Sequence, residues 1–305
     1  MGSRRYGRYE IETSNEDKPL FPDTGITKGQ LIDYYEKIAE VMLPHVKKHP
    51  MVLQRFPDGI AKGGFYQKQA ADYFPDWIPT VTVKKEGGTQ DLVVCDNAAT
   101  LAYLANQACI SLHPWLSRTD KIDHPDLLVV DLDPPGADFD QVRVAARRCR
   151  TLLEDELGMT TFLKLTGSKG VHVVVPLSRR EDFETVRAFA RDAVDVLACR
   201  HPRELTTEHR KAKRRGRVYL DVARNAYAQT AVAPYSVRPL PGAPVAAPIE
   251  WDEISSRKLG PRSFTIKNVF RRLASRDAPW AAMRRSARSL ASARKRLDGL
   301  RDEDR

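Results

Sequence analysis

Residues 127–135 read LLVVDLDPP. Four apolar residues run into Asp131 and Asp133, and Pro134 and Pro135 stop the run. Such a run, closed by proline, reads as a buried strand. Residues i and i+2 of a strand point to one face, so the two aspartates project together. Left alone they would repel each other, and one would tend to hold its proton. Something positive belongs between them.

The 305 residues allow one large domain or two small ones. The chain is 42% hydrophobic and 30% charged, which is enough to bury a core. A net charge of +10 favours an anionic partner such as nucleic acid, nucleotide or a membrane surface. No apolar run approaches the length of a membrane span, and the charged N-terminal stretch lacks the apolar segment of a signal peptide. The expectation is a soluble, cytoplasmic protein with no membrane partner. Cys95, Cys109, Cys149 and Cys199 form no C-x-x-C pair and sit among apolar neighbours, so each reads as a small core residue.

Thr27 to Gln30 is a capping-box pattern, and the helix behind it is expected to close at Pro44. TVTVK from Thr80 and DLVVC from Asp91 read as a hairpin around the loop KKEGGTQ. Helices are expected over Asn97–Ala108, from Asp138 to Gly158, and from Asp182 to Cys199. TFLKL, VHVVV and VYLDV read as further strands. Strands alternating with helices, plus a hairpin, predict an α/β (α+β) fold with a mixed sheet flanked by helices. PLPGAPVAAP, from Pro239, reads as an extended loop over the surface. The stretch from Lys267 reads as basic and helical, either a nucleic-acid contact or a solvated face.

Two strand-end carboxylates suit a hard divalent cation, Mg²⁺ or Mn²⁺, and a third acid is wanted from a neighbouring strand. VYLDV supplies Asp221 in the same setting. D-x-D alone is a weak signal, since many such pairs are surface turns. LTGSKGVHVVVP, from Leu165, adds a glycine-bearing turn with backbone N–H groups and Lys169, which together suit a phosphate chain. His172 is expected to face away from Val171, Val173 and Val175, either as a ligand contact or as a core histidine. As a donor to phosphate it would be strongest as imidazolium.

Taken together, these segments resemble the polymerase domain of bacterial DNA ligase D, a branch of the archaeo-eukaryotic primase superfamily. The resemblance runs from about DKPLFPDTGITKGQL to about RSFTIKNVFRRL. It is carried by RFPDGI with GGFYQK, by His113-Pro114-Trp115, by LLVVDLDPP, by TGSKGVHVVVPL, and by YLDVARN followed by APYSVRPLPGAPV. It implies a primase-polymerase catalytic core over residues 1–275, followed by a basic helical tail over 276–305. It also implies a template-dependent nucleotidyltransferase that fills gaps and extends ends in non-homologous end joining and favours ribonucleotides. Asp131, Asp133 and Asp221 match the catalytic acids that hold two divalent ions, Mn²⁺ or Mg²⁺. His113, Thr166, Ser168, Lys169, Gly170, His172, Arg224 and Arg238 match positions around the incoming NTP or dNTP. The family usually has serine where this chain has Thr166, and the hydroxyl is kept. Lys18 and Lys28 match a pocket for the 5′-phosphate across a gap; Phe65 matches an aromatic that stacks on the template, and Tyr66 stands where a second Phe is frequent. The implied partners are gapped or broken DNA, a DNA ligase and a Ku-like end-binding protein, which puts the chain at the nucleoid.

Rival readings meet specific residues. A phosphatase of the D-x-D-x-[TV] type needs Thr or Val where Pro135 stands. A ligase adenylation site needs K-x-D-G, and Asp58-Gly59 follows Phe56-Pro57 instead. A non-catalytic protein that binds or bridges DNA ends gains nothing from clustered carboxylates. The run HRKAKRRGR, from His209, and the hairpin loop after Val83 are expected to contact DNA.

Overall fold

The computed structural model describes residues 2–136, 138–275 and 278–303. The chain divides into two compact units, each assembled from separate stretches. The first comprises residues 1–120, 230–246 and 264–274; the second comprises 121–229, 247–263 and 275–305.

In the first unit, β1 (Gly2–Tyr6) and β2 (Tyr9–Thr13) form a hairpin, and β3 (Pro19–Phe21) pairs with β4 (Ile26–Thr27). Helix α1 (Lys28–Val46) starts at the expected capping box: Gln30 N–H donates to Thr27 Oγ1 at 3.3 Å, and Gln30 Oε1 accepts from Thr27 N–H at 3.0 Å. Pro44 does not close this helix but lies inside its last turn. A proline there costs one backbone hydrogen bond, while the fully buried Val46 beyond it keeps the turn packed on the core. A sheet follows in the order β6 (Phe65–Gln67), β5 (Pro50–Arg55), β8 (Gly88–Val94), β7 (Thr80–Lys85). After helix α2 (Ala98–Asn106), β9 (Cys109–Pro114) also pairs with β5. The expected loop KKEGGTQ is mostly strand. Lys85 pairs with Gly88, so only Glu86 and Gly87 turn, and Gly87 takes the positive φ of 76° that the tight turn requires.

The second unit is built on one sheet in the order β13 (Leu205–Thr206), β14 (Val218–Asp221), β10 (Leu127–Asp133), β12 (Val171–Pro176), β11 (Phe162–Leu165), β15 (Pro248–Ile249). Only β13 and β14 run parallel, so the sheet is mixed, as the alternation of elements predicts. Helices α3 (Phe139–Arg150) and α4 (Phe183–Arg200) pack against it, which is why β10 and β12 are apolar along nearly their whole length. Helix α3 continues through a π-type turn at Thr151–Glu156, and the chain leaves it at Gly158, φ 70°. Helix α5 (Val269–Ser275) belongs largely to the first unit, and α6 (Ala291–Glu303) packs on α4 in the second.

Three further expectations change. Cys199 is exposed in the last turn of α4, whereas Cys95, Cys109 and Cys149 are buried as read. The proline-rich segment is not a surface loop, because Ala243 to Ile249 are all buried. Small side chains let this backbone run inside the protein, with its polar groups met by bonds such as Val245 N–H to the Phe264 carbonyl. The stretch after Lys267 is not one helix: α5 and α6 are separated by an irregular segment carrying the buried Trp280. Of that stretch, Arg276, Asp277, Asp304 and Arg305 lie outside the described residues.

Candidate active site and nucleic-acid contacts

The strand ends bring the acids of the second unit together. Asp131 on β10 is directly opposite Asp221 on β14, and Asp133 opposes Tyr219. On its other side Asp131 opposes His172 on β12, which in turn opposes Lys164 on β11. Lys164, His172, Asp131 and Asp221 therefore form one row across four strands. Asp131 Oδ2 lies 3.4 Å from His172 Nε2 and 3.8 Å from Arg224 Nε. Positive charge is supplied to Asp131 by Arg224, in the short turn after β14, while buried Lys164 lies beyond His172 in the row.

The two neighbouring carboxyls differ in kind. Burial works to raise the Asp131 pKa, but His172, Arg224 and Lys164 outweigh it and hold this carboxyl below its usual range. Asp133 goes the other way, to about 6, through burial first and then the charges of Asp131 and Asp221. This is the proton-holding member of the pair anticipated from the strand pattern. Asp221 Oδ1 accepts from Ala223 N–H at 2.8 Å, which fixes the turn that carries Arg224.

Among the described residues, no group of three His, Cys, Asp or Glu side chains is arranged to hold a metal ion. The carboxylate of Asp131 is engaged with His172 and Arg224 instead. The donor set nevertheless suits a hard divalent cation. Three carboxyls share adjacent strand ends, and one of them is raised by burial and then by the charges of the other two. A cation there would relieve that repulsion.

The turn after β11 is held by its own atoms. Thr166 Oγ1 donates to the Gly170 carbonyl at 3.0 Å and accepts from Ser168 N–H at 3.3 Å. The hydroxyl read as a nucleotide contact is thus engaged inside the turn. Gly167 adopts φ 67°, and a Cβ on Gly170 would fall 2.0 Å from the Leu132 carbonyl oxygen, so only glycine fits there. Lys169 is exposed at the tip, and Arg262 Nε donates to the Ser168 carbonyl at 3.0 Å. His172 is 3% exposed. Burial draws its pKa down, Asp131 opposes this and Lys164 sides with burial, so the fold by itself favours neutral imidazole rather than the expected imidazolium.

The remaining candidates lie in the first unit. Lys18 and Lys28 are brought together by the β3–β4 pair, where Lys28 N–H donates to the Lys18 carbonyl at 2.9 Å. Lys18 Nζ reaches Asp58 at 2.7 Å, and Lys28 Nζ lies 3.3 Å from Ser14 Oγ. Burial, and then the charge of Lys18, lower the Lys28 pKa. Two close ammonium groups, one of them nearly buried, make a site that gains from an anion. Phe65 and Tyr66 are 49% and 58% exposed on edge strand β6, so Phe65 is not core. Tyr66 packs edge-on against His113 with ring centroids 5.6 Å apart. His113 is buried on β9, and the Arg238 backbone N–H bonds the Pro244 carbonyl.

The basic run from His209 is partly self-engaged. Arg214 and Arg217 donate to carbonyls of their own loop, and Arg214 stacks 3.9 Å from the centre of the Tyr219 ring. Sequence reading missed Lys164, although a lone lysine inside FLKL was the available signal. It also missed Asn225, whose buried amide bonds both backbone groups of Val129. Nothing local marked that contact.

The chain is similar to known proteins over most of its length. Residues 27–280 match the family model described as LigD, primase-polymerase domain. The multifunctional non-homologous end joining protein LigD of Mycolicibacterium smegmatis is 35% identical over 85% of this chain and 34% of its own length. The bifunctional non-homologous end joining protein LigD of Bacillus subtilis is 32% identical over 89% of this chain and 44% of its own length. The polymerase domain of Mycobacterium tuberculosis ligase D, solved in complex with DNA, superposes with a TM-score of 0.85 at 32% identity, covering 91% of this chain and 99% of that one. The fold is therefore that of a polymerase domain. The chain belongs to the LigD primase-polymerase domain family, and it spans less than half the length of these curated relatives.

Proposed function

We propose that the chain is a template-dependent nucleotidyltransferase that fills gaps and extends ends at DNA double-strand breaks, with a preference for ribonucleotides. The observation that carries this reading is the convergence of Asp131, Asp133 and Asp221 on adjacent strand ends beside the TGSKG turn. A DNA-end binder without catalysis would gain nothing from acids that repel the phosphate backbone.

In this reading the reaction joins the primer 3′-oxygen to the α-phosphorus of the nucleotide, and pyrophosphate leaves. Such transfer depends mainly on positioning and charge neutralisation. Asp131, Asp133 and Asp221 would hold two divalent ions, Mn²⁺ or Mg²⁺, which when bound help deprotonate the primer hydroxyl and neutralise the leaving group. Lys169 and the N–H group of Gly170 bind the triphosphate, and His172 and Arg224 orient Asp131. The resemblance makes His113 and Arg238 further nucleotide contacts. Lys18 and Lys28 take the 5′-phosphate across a gap, and Phe65 and Tyr66 stack on template bases. A DNA ligase and a Ku-like end-binding protein are the partners, and the nucleoid is the place of work. Among the described residues no helix is long and apolar enough to cross a membrane.

The test is primer extension on a gapped duplex with each nucleotide type and each metal. Asp131→Ala and Asp133→Ala are expected to lower extension at least a thousandfold while DNA affinity stays equal or tightens. Variants that extend normally would sink the assignment.

A further inference from the structure

Among the described residues Tyr73 is the most exposed of the large hydrophobic side chains, at 61%, yet it is tightly held. Arg55 Nη1 donates to its hydroxyl at 2.7 Å, and its ring packs edge-on against that of the buried Phe74, with centroids 5.2 Å apart. The same Arg55 guanidinium lies 5.7 Å from the centre of the Phe65 ring, its cross-strand neighbour on β6. Arg55 is fixed in turn by Gln67 Oε1 at 2.7 Å and by the Gln107 carbonyl and Oε1 at 2.9 and 3.2 Å. One anchored guanidinium thus fixes two exposed rings.

Holding a ring rigid while leaving its face in water gives the folded chain little. It does prepare a face for a flat ligand without a loss of side-chain freedom on binding. The surroundings select the ligand. Lys62 and Lys68 are exposed on either side of β6 and suit a phosphodiester backbone. Asp72, exposed beside Tyr73, repels phosphate, so contact at Tyr73 falls on a base.

We infer that Tyr73 is a further base-stacking platform, placed by Arg55, for an unpaired nucleotide of a single-stranded DNA segment. The inference rests on the reading of β6 as the template contact and extends it by one residue. Every base has a π-face, so the grip is tolerant of sequence, and it adds to that of Phe65.

The experiment measures affinity by fluorescence anisotropy, with the full chain, for a duplex bearing a 5′ single-stranded overhang and for the blunt duplex. 2-Aminopurine at successive overhang positions reports stacking. Tyr73→Ala and Tyr73→Leu are expected to weaken overhang binding about tenfold, to leave blunt-duplex binding unchanged, and to restore 2-aminopurine emission at one position. Tyr73→Phe, which keeps the ring and loses the Arg55 bond that places it, is expected to bind between the parent and Tyr73→Ala. Normal overhang affinity in Tyr73→Ala beside a weakened Phe65→Ala overturns this inference and leaves the template reading standing. If neither substitution changes binding, both fail. Equal losses on overhang and blunt duplex also overturn it, because the ring face is then not what binds.

Discussion

At the scale of residues, the site turns on two carboxyls separated by a single leucine that the fold treats in opposite ways. Asp131 is engaged by His172 and Arg224 and stays ionised; Asp133 is raised by burial and then by the charges of Asp131 and Asp221, which outweigh Arg214 and Arg224. This difference can be measured without any substrate. With its pKa raised from 3.8 to about 6, Asp133 contributes stability that is fully present below the ordinary carboxyl value and is lost as pH rises through about 6. Because the group is partly open to solvent, screening reduces the effect to about 1 kcal/mol. Thermal unfolding of the metal-free chain between pH 4 and 7 should show that decline, and Asp133→Asn should remove it. Carboxyl carbon shifts should place Asp133 near pH 6, and Asp131→Asn should move it down. A midpoint near the ordinary aspartate value would mean that the acids do not share one desolvated site.

At the scale of elements, β14 stops pairing with β10 at Asp221, and a side chain continues the ladder. Asn225 Oδ1 accepts from Val129 N–H at 2.8 Å and its Nδ2 donates to the Val129 carbonyl at 2.7 Å. Asn225→Ala leaves both of these buried backbone groups without a partner, at a cost of about 2–4 kcal/mol. Chemical denaturation should show that loss, with extension activity reduced because the turn bearing Arg224 is no longer fixed. The β3–β4 pair makes its own prediction. Lys28→Ala should weaken binding of a gapped duplex about tenfold when the downstream strand carries a 5′-phosphate and little when it carries a hydroxyl. Equal loss on both would make Lys28 a general backbone contact. Elements of this kind differ in how legibly the sequence shows them. LLVVDLD and VHVVV stand out because a strand covered on both faces must be apolar throughout. The capping box at Thr27 stands out because it is complete within four residues. Asn225, Arg55 and the buried run after Gly242 do not, because each is defined by a partner far along the chain. Val129 precedes Asn225 by 96 residues, and Gln107 follows Arg55 by 52. The hairpin turn at Glu86 is shorter than the sequence pattern predicts for a simpler reason: lysine, threonine and glutamine are tolerated on an exposed strand as well as in a loop.

At the scale of the whole molecule, each unit is closed by residues that return from elsewhere in the chain, and the stretch beyond Ser275 is the strongest case. Its arginines invite a reading as a nucleic-acid tail, yet Arg294 and Arg301 both reach Asp192 on α4 at 2.7 Å. Trp280, Met283, Leu290 and Leu297 are between 0% and 4% exposed, and Trp280 Nε1 donates to the Leu163 carbonyl on β11 at 3.1 Å. Burying each such side chain contributes about 1.5–3 kcal/mol. The four together approach the roughly 5–15 kcal/mol that separates a folded domain from its unfolded chain. Ending the chain at Ser275 should therefore unfold the second unit rather than trim a tail. Hydrogen exchange on the truncated protein should show Leu128–Leu132 and Val171–Val175 losing protection. Trp280→Ala alone should cost about 3–5 kcal/mol by the cavity it leaves. Unchanged melting and full protection after truncation would return residues 276–305 to the status of a basic appendage, with their arginines free for DNA.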